Sequence, residues 1–328
     1  MTLKDDAVTQ PAMPLDQAAA SAQPQSFDNG RGIAAMVLAM GCFVASDSLV
    51  KVVGRDINLG QVLLIRGLIA SMLVLGAACA FGWLGALWAT ISGPLRGRLA
   101  LRTLTEVGAT MCFFTGMLRL PFADNAAIGQ LAPLAVTAGA AVFLGERVGW
   151  RRWLATLIGF LGVLVIVKPG TSAFDWAALW TLASVGFIAA RDLLTVRISA
   201  SVPSHHIASI TAFGLTIASL GLVAVQPWRQ VAGEHVAILA LAAIGALFAF
   251  NALVVGMRAG EISVVGPFRY TVIIFSVLIG WFAFREPLSA STIAGIVIIM
   301  AAGLYTIHRE QVRKREARAS AVAAATAC

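Results

Sequence analysis

The chain has 328 residues, of which 59% are hydrophobic and only 12% charged, with a mean hydropathy of +0.86 and a net charge of +8. A water-soluble domain carries about 25% charged residues. A soluble fold of this length is therefore excluded, and the solvent for most of the chain is lipid. Backbone groups in lipid must bond within the protein, so the spans are helices or a closed barrel. The apolar runs here extend for about 20 residues without alternation, the length of a membrane-spanning helix. The expected fold class is an all-α polytopic membrane protein.

In chain order, residues 1–30 are rich in Ala, Gln, Asp and Pro and are expected to be a disordered N-terminus with no signal peptide. Ten runs follow, at 32–53, 59–81, 99–118, 123–144, 150–167, 176–199, 206–225, 236–256, 262–284 and 289–307. The stretch 82–97 contains Trp83 and Trp88 but is broken at Gly93-Pro94, and reads as an interfacial segment. After Arg309 the chain is basic and then Ala-rich, a tail over 310–328. Cys42, Cys79 and Cys112 fall in apolar runs and read as packing residues.

Basic residues set the expected orientation. If the N-terminus is cytoplasmic, the segments on that side hold Lys4, Arg31, Arg96, Arg98, Arg102, Arg147, Arg151, Arg152, Arg197 and Arg258 with the basic tail. The other side holds only Arg55, Arg119, Lys168, Arg229 and Arg285. Positive-inside counting places both termini in the cytoplasm of a bacterial inner membrane. It also explains the high net charge without nucleic acid as a partner, since no basic face exists outside these loops and the tail.

Two stretches resemble each other. Residues 127–167 end in LGERVGWRRWLATLIGFLGVLVIV, and residues 266–307 end in FREPLSASTIAGIVIIMAAGLYTI. Each has an apolar run, a Glu just past it (Glu146, Glu286), a polar joint and a second apolar run with glycines. Met117-Leu118-Arg119 likewise matches Gly256-Met257-Arg258. The expected halves are 31–168 and 172–309, with five spans each. An odd-span unit inserted twice must enter from opposite sides, which relates the halves by a pseudo-two-fold axis in the membrane plane. Such a repeat points to a cavity near the midplane between halves that rock.

These residues resemble the EamA-type repeats of the drug/metabolite transporter superfamily, over essentially 31–310. Within it the resemblance is nearest to bacterial exporters of aromatic and other amino acids. It implies a secondary exporter or facilitator working by alternating access, with a transporter of a larger aromatic, nucleotide-like or vitamin-like metabolite as the alternative. One departure stands out: Pro133 has no counterpart at Ile273 in the second half, where Pro267 comes earlier.

Ionisable residues inside a span are costly, about 2.5–3.5 kcal/mol each on insertion scales, and normally face a cavity or a partner. Arg269, Tyr270, Gln130 and Asn125 are the leading candidates for contact with a solute, followed by Arg66 and Asn251. Asp47, Lys51, Glu106 and Asp192 are candidates for gating or proton coupling. Asp47 and Lys51 lie one turn apart and could satisfy each other. Arg102 is similarly placed to pair with Glu106, and Arg191-Asp192 reads as a gate or topology charge near a helix end. An Arg suits a carboxylate, and an acid or aromatic face suits an ammonium, so the expected solute is an amino acid or related small metabolite.

An enzyme is the rival class, and an intramembrane lipid-modifying one its most plausible form. Against it, His205, His206, His235 and His308 all fall at helix ends or in loops, with no His-Glu-x-x-His, Walker or Cys-x-x-Cys pattern. No catalytic residues, metal or cofactor are expected, and the chain is taken to act as a monomer in the bilayer.

Overall fold

The computed structural model describes residues 28–143, 145, 149–172, 174–196, 198 and 202–326. The N-terminus expected to be disordered lies outside these residues up to 27, as do Glu146 and Arg197; contrary to that expectation Asn29 and Gly30 are helical, because the Asp28 carboxylate accepts the Arg31 N–H and caps the first helix. Among the described residues all regular structure is helical: α1 (Asn29–Val53), α2 (Leu59–Ala80), α3 (Leu84–Ser92), α4 (Arg96–Met117), α5 (Phe122–Gly129), α6 (Ala132–Phe143), α7 (Trp150–Val167), α8 (Ala177–Val196), α9 (Ser204–Val225), α10 (Gly233–Ala259), α11 (Ile262–Val265), a 3-10 turn (Gly266–Tyr270), α12 (Thr271–Phe282) and α13 (Ala290–Thr326).

Seven segments are long and apolar enough to cross a membrane, and two shorter apolar helices, Trp153–Val167 and Gly266–Phe282, accompany them. The third expected run forms a helix of 22 residues, α4, but falls outside that set because Arg96, Arg98, Arg102 and Glu106 crowd its first half. The fourth and ninth runs are not single helices. Gln130 and Leu131 separate α5 from α6, and the 3-10 turn separates α11 from α12. Proline explains both interruptions. Pro133 has no N–H to offer the carbonyl of Gly129, and Pro267 cannot extend the helix begun at Ile262. A proline thus interrupts both the fourth and the ninth expected run, at different distances from the start of each.

The outer surface is lipid-like. Met72, Phe81, Phe143, Val225 and Phe282 are between 67% and 80% exposed. Contiguous apolar exposure of this kind has no place in water. Trp88, Trp150, Trp176, Trp228 and Trp281 are exposed near the helix ends, where an amphipathic ring meets the headgroups. Trp88 belongs to the stretch expected to be interfacial, which forms the short helix α3. The basic tail continues α13 as helix to Thr326.

Helices from the two parts of the chain pack pairwise: α1 on α10, α2 on α9, α4 on α8 and α7 on α13. Small residues and buried hydroxyls hold these pairs. Ser46 donates to the Ala242 carbonyl at 2.8 Å, and Ser71 and Thr216 share a hydrogen bond at 3.1 Å. On the α7–α13 pair the backbones approach so closely that a Cβ on Gly295 would lie 2.6 Å from the Gly162 carbonyl and 2.4 Å from Ile166. Gly295→Leu is therefore expected to destabilise the purified protein by about 1–3 kcal/mol, the usual range for overpacking, read as an earlier midpoint in thermal unfolding. An unchanged midpoint would contradict this packing.

Candidate functional site

A cavity of about 220 Å³ lies where the interrupted helices meet α1, α4 and α8. Asp47 reaches it from α1, Phe113 from α4, Phe122 and Asn125 from α5, and Arg191 from α8. Gln130 enters from the α5–α6 break, Arg269 from the 3-10 turn and Ser276 from α12. Discontinuous helices put backbone polar groups and turn residues at membrane depth, where irregular backbone is tolerated only against protein or a cavity.

Five of the polar or charged residues singled out in the sequence meet here: Asp47, Asn125, Gln130, Arg191 and Arg269. Asn125 is 1% exposed and is fixed by the Thr181 hydroxyl, which donates to its Oδ1 at 2.6 Å. Among the described residues, Arg269 makes no hydrogen bond and no ion pair within 4.0 Å, and the same holds for Asp47. Two charges of opposite sign, neither held in a close ion pair, thus border one cavity.

Arg66 stands behind Asp47. Its guanidinium lies 5.2 Å from the Phe114 ring centroid, its Nη2 donates to the Ser46 hydroxyl at 3.3 Å, and it attracts the Asp47 carboxylate. It does not line the cavity. Tyr270 does not line it either, despite being next to Arg269. Successive residues on a 3-10 turn point about 120° apart, so only one of the two can face inward. The Tyr270 ring packs on α13, against Gly303, where a Cβ would collide with it, and its hydroxyl is buried without a partner. Tyr270→Phe removes that orphaned group. We expect equal or higher thermal stability, by up to about 1 kcal/mol, with transport retained; a loss of transport would put the hydroxyl back in the site. Asn251 is exposed on α10 and donates to its own Leu247 carbonyl at 2.8 Å, away from the cavity.

The expected Asp47–Lys51 pair does not form. Lys51 is 5% exposed, and its Nζ donates to Glu286 Oε1 and to the Leu120 carbonyl, both at 2.7 Å. Glu286 Oε2 accepts the Phe122 N–H at 2.5 Å, and the Phe122 and Phe284 rings stand 5.6 and 5.2 Å from the ammonium. Arg285, in the left-handed region at φ 53°, turns the chain so that Glu286 points inward. Phe122 also lines the cavity, so this cluster adjoins it. The sequence had flagged Glu286 only as a repeat marker; its partner, 235 residues earlier, leaves no local signal.

The Arg102–Glu106 pair forms at 3.6 Å, but Glu106 binds Arg191 more closely. Arg191 Nη1 reaches both Glu106 oxygens at 3.0 and 3.1 Å, while its Nε donates to Asp192 at 2.8 Å. Arg102 also donates to the Thr195 and Thr211 hydroxyls at 3.1 and 2.8 Å. Arg191 is thus a cavity residue and not only a helix-end charge.

The EamA-like transporter family model matches residues 30–168 and again 175–307. A riboflavin transporter of Rhizobium johnstonii is 28% identical over 201 residues, which are 61% of this chain and 67% of that one. An S-adenosylmethionine uptake transporter of Rickettsia felis is 29% identical over 60% of this chain and 66% of its own, so the match spans about two thirds of these relatives. The pseudopaline exporter CntI of Pseudomonas aeruginosa is 27% identical over 83% of this chain and 94% of its own. One solved crystal structure of a protein superposes with a TM-score of 0.58 over 84% of this chain and 96% of its own at 16% identity, a likeness of fold alone. Two copies of the family pattern, seven apolar spans and transporter relatives lead to one assignment: the chain is a multi-pass membrane protein that belongs to the EamA-like transporter family of the drug/metabolite transporter superfamily.

Proposed function

We propose that this protein exports a small metabolite carrying both a carboxylate and an ammonium, an amino acid or an amino-acid-bearing compound, across a bacterial inner membrane. One observation carries the reading: Arg269 and Asp47 border the same cavity without ion-pair partners among the described residues. A zwitterion supplies both missing counter-charges, and Phe113 and Phe122 offer apolar walls for its side chain. Gln130 and Asn125 add polar contacts beside them.

The proposed architecture is ten spans in two inverted halves, 31–168 and 172–309, with both termini cytoplasmic. The packing supports it. Exchanging the first span with the sixth and the third with the eighth turns the α1–α10 contact into the α4–α8 contact. The α2–α9 and α7–α13 contacts map onto themselves. Gly145 and Arg285, each just before the matched glutamates, are both left-handed, with φ 68° and 53°. In this topology the Lys51–Glu286 cluster is the outer gate, and the Arg102–Glu106–Arg191–Asp192 network lies toward the cytoplasm. Alternating access then consists of opening one while the other stays closed.

A second reading has its own support: a relative is named for riboflavin, which fits a larger, vitamin-like aromatic solute. Reconstitution in liposomes separates the two. Labelled L-tryptophan, S-adenosylmethionine and riboflavin are supplied in turn, in both orientations of the gradient. The zwitterion reading expects saturable flux of tryptophan or S-adenosylmethionine, competed by other α-amino acids. Riboflavin flux that no amino acid competes would reverse the ranking.

A further inference from the structure

The zwitterion reading assigns the carboxylate to Arg269, but Arg191 borders the same cavity and is not saturated. An arginine side chain has five N–H donors. Arg191 uses Nε on Asp192 and Nη1 on Glu106, while Nη2 makes no hydrogen bond among the described residues. Arg191 and Arg269 repel each other, and Asp192 attracts both. Counting every charge that lines or backs the cavity, Arg66, Arg102, Arg191 and Arg269 stand against Asp47, Glu106 and Asp192, which leaves one positive charge in excess. Two like charges facing one low-dielectric space are unfavourable until an anion lies between them.

We propose, resting on the zwitterion reading, that Arg191 and Arg269 together bind the carboxylate of the solute, with Arg191 a specificity-determining ligand and Glu106 and Asp192 its positioning residues. The Glu106 contact through both of its oxygens and the Asp192 contact at Nε hold the guanidinium, which leaves the Nη2 protons free for a carboxylate oxygen. Solutes that keep the amine and the apolar part but lack the carboxylate leave the excess positive charge unanswered, and are rejected for that reason. Glu106 therefore acts on specificity without itself meeting the solute.

The test uses the purified full-length protein in detergent and two probe pairs that differ by a carboxylate: L-tryptophan against tryptamine, and S-adenosylmethionine against its decarboxylated analogue. Affinity is read from ligand-dependent thermal stabilisation. For the wild type, the carboxylate-bearing member of a responding pair is expected to bind at least about tenfold more tightly, the worth of one charge-assisted hydrogen bond. In Arg191→Gln the gap shrinks to within about threefold, while Arg191→Lys, which keeps the charge but loses the fork, stays intermediate. Glu106→Gln narrows the gap without abolishing binding of the amine. Should Arg191→Gln alone fold poorly with Glu106 left unpaired, Arg191→Gln/Glu106→Gln removes both charges and carries the same expectation. A gap that persists in these variants overturns the inference and leaves the zwitterion reading standing. No stabilisation of the wild type by either member of either pair overturns the zwitterion reading, and the inference with it.

Discussion

Arg269→Ala is expected to abolish saturable transport of a zwitterionic solute in proteoliposomes while the protein still purifies as a folded species. The guanidinium lines the cavity and makes no hydrogen bond or ion pair among the described residues, so removing it leaves no partner stranded. The effect should fall on the solute and not on the fold. A charge-assisted hydrogen bond contributes about 1.5–3 kcal/mol. Its loss corresponds to roughly 10- to 150-fold weaker binding at about 1.4 kcal/mol per decade. Arg269→Lys keeps the charge without the planar fork and should lose less. Transport by Arg269→Ala within twofold of wild type would remove Arg269 from the site.

The second large effect concerns the Lys51–Glu286 pair. Breaking a buried ion pair on one side strands a charge and costs about 3–5 kcal/mol, whereas replacing both members with apolar groups is often neutral. Among the described residues, Lys51→Met leaves the Glu286 carboxylate with only the Phe122 N–H, and Glu286→Leu leaves the ammonium between two phenyl rings and one carbonyl. Each single variant is expected to lower the thermal midpoint markedly, and Lys51→Met/Glu286→Leu to recover most of the loss. If the cluster is also the outer gate, the double variant should leak solute in the absence of a counter-gradient. Single and double losses that simply add would show that the two groups do not interact.

The fold class was legible because lipid leaves few options: long apolar runs must be helices, and each expected run has a helical counterpart in the structure. What composition did not convey was where a run breaks. Pro133 was visible, but its consequence depends on which carbonyl it leaves without a partner and on what lies opposite. The site was half legible. Asp47, Asn125, Gln130 and Arg269 are polar residues in otherwise apolar helices, and their cost alone marked them. Tyr270 and Asn251 carry the same mark but face elsewhere, because helix rotation is set by packing on α13 and by the exposed side of α10, not by residue type. Lys51 had a plausible partner one turn away and took another from the far half of the chain. Arg191 reads in the sequence as a gate or topology charge near a helix end, because its distance from the cavity cannot be counted along one helix.

The central claim is that solute passes through the cavity between the interrupted helices. Gly129 lines it, and a Cβ there would have no neighbour closer than the Phe113 ring at 3.8 Å, so Gly129→Cys is accepted at its Cβ without a clash. In a background with the native cysteines replaced, a small methanethiosulfonate reagent should modify Gly129→Cys and block transport, and excess solute should slow the modification. Complete modification with transport unimpaired would contradict the account.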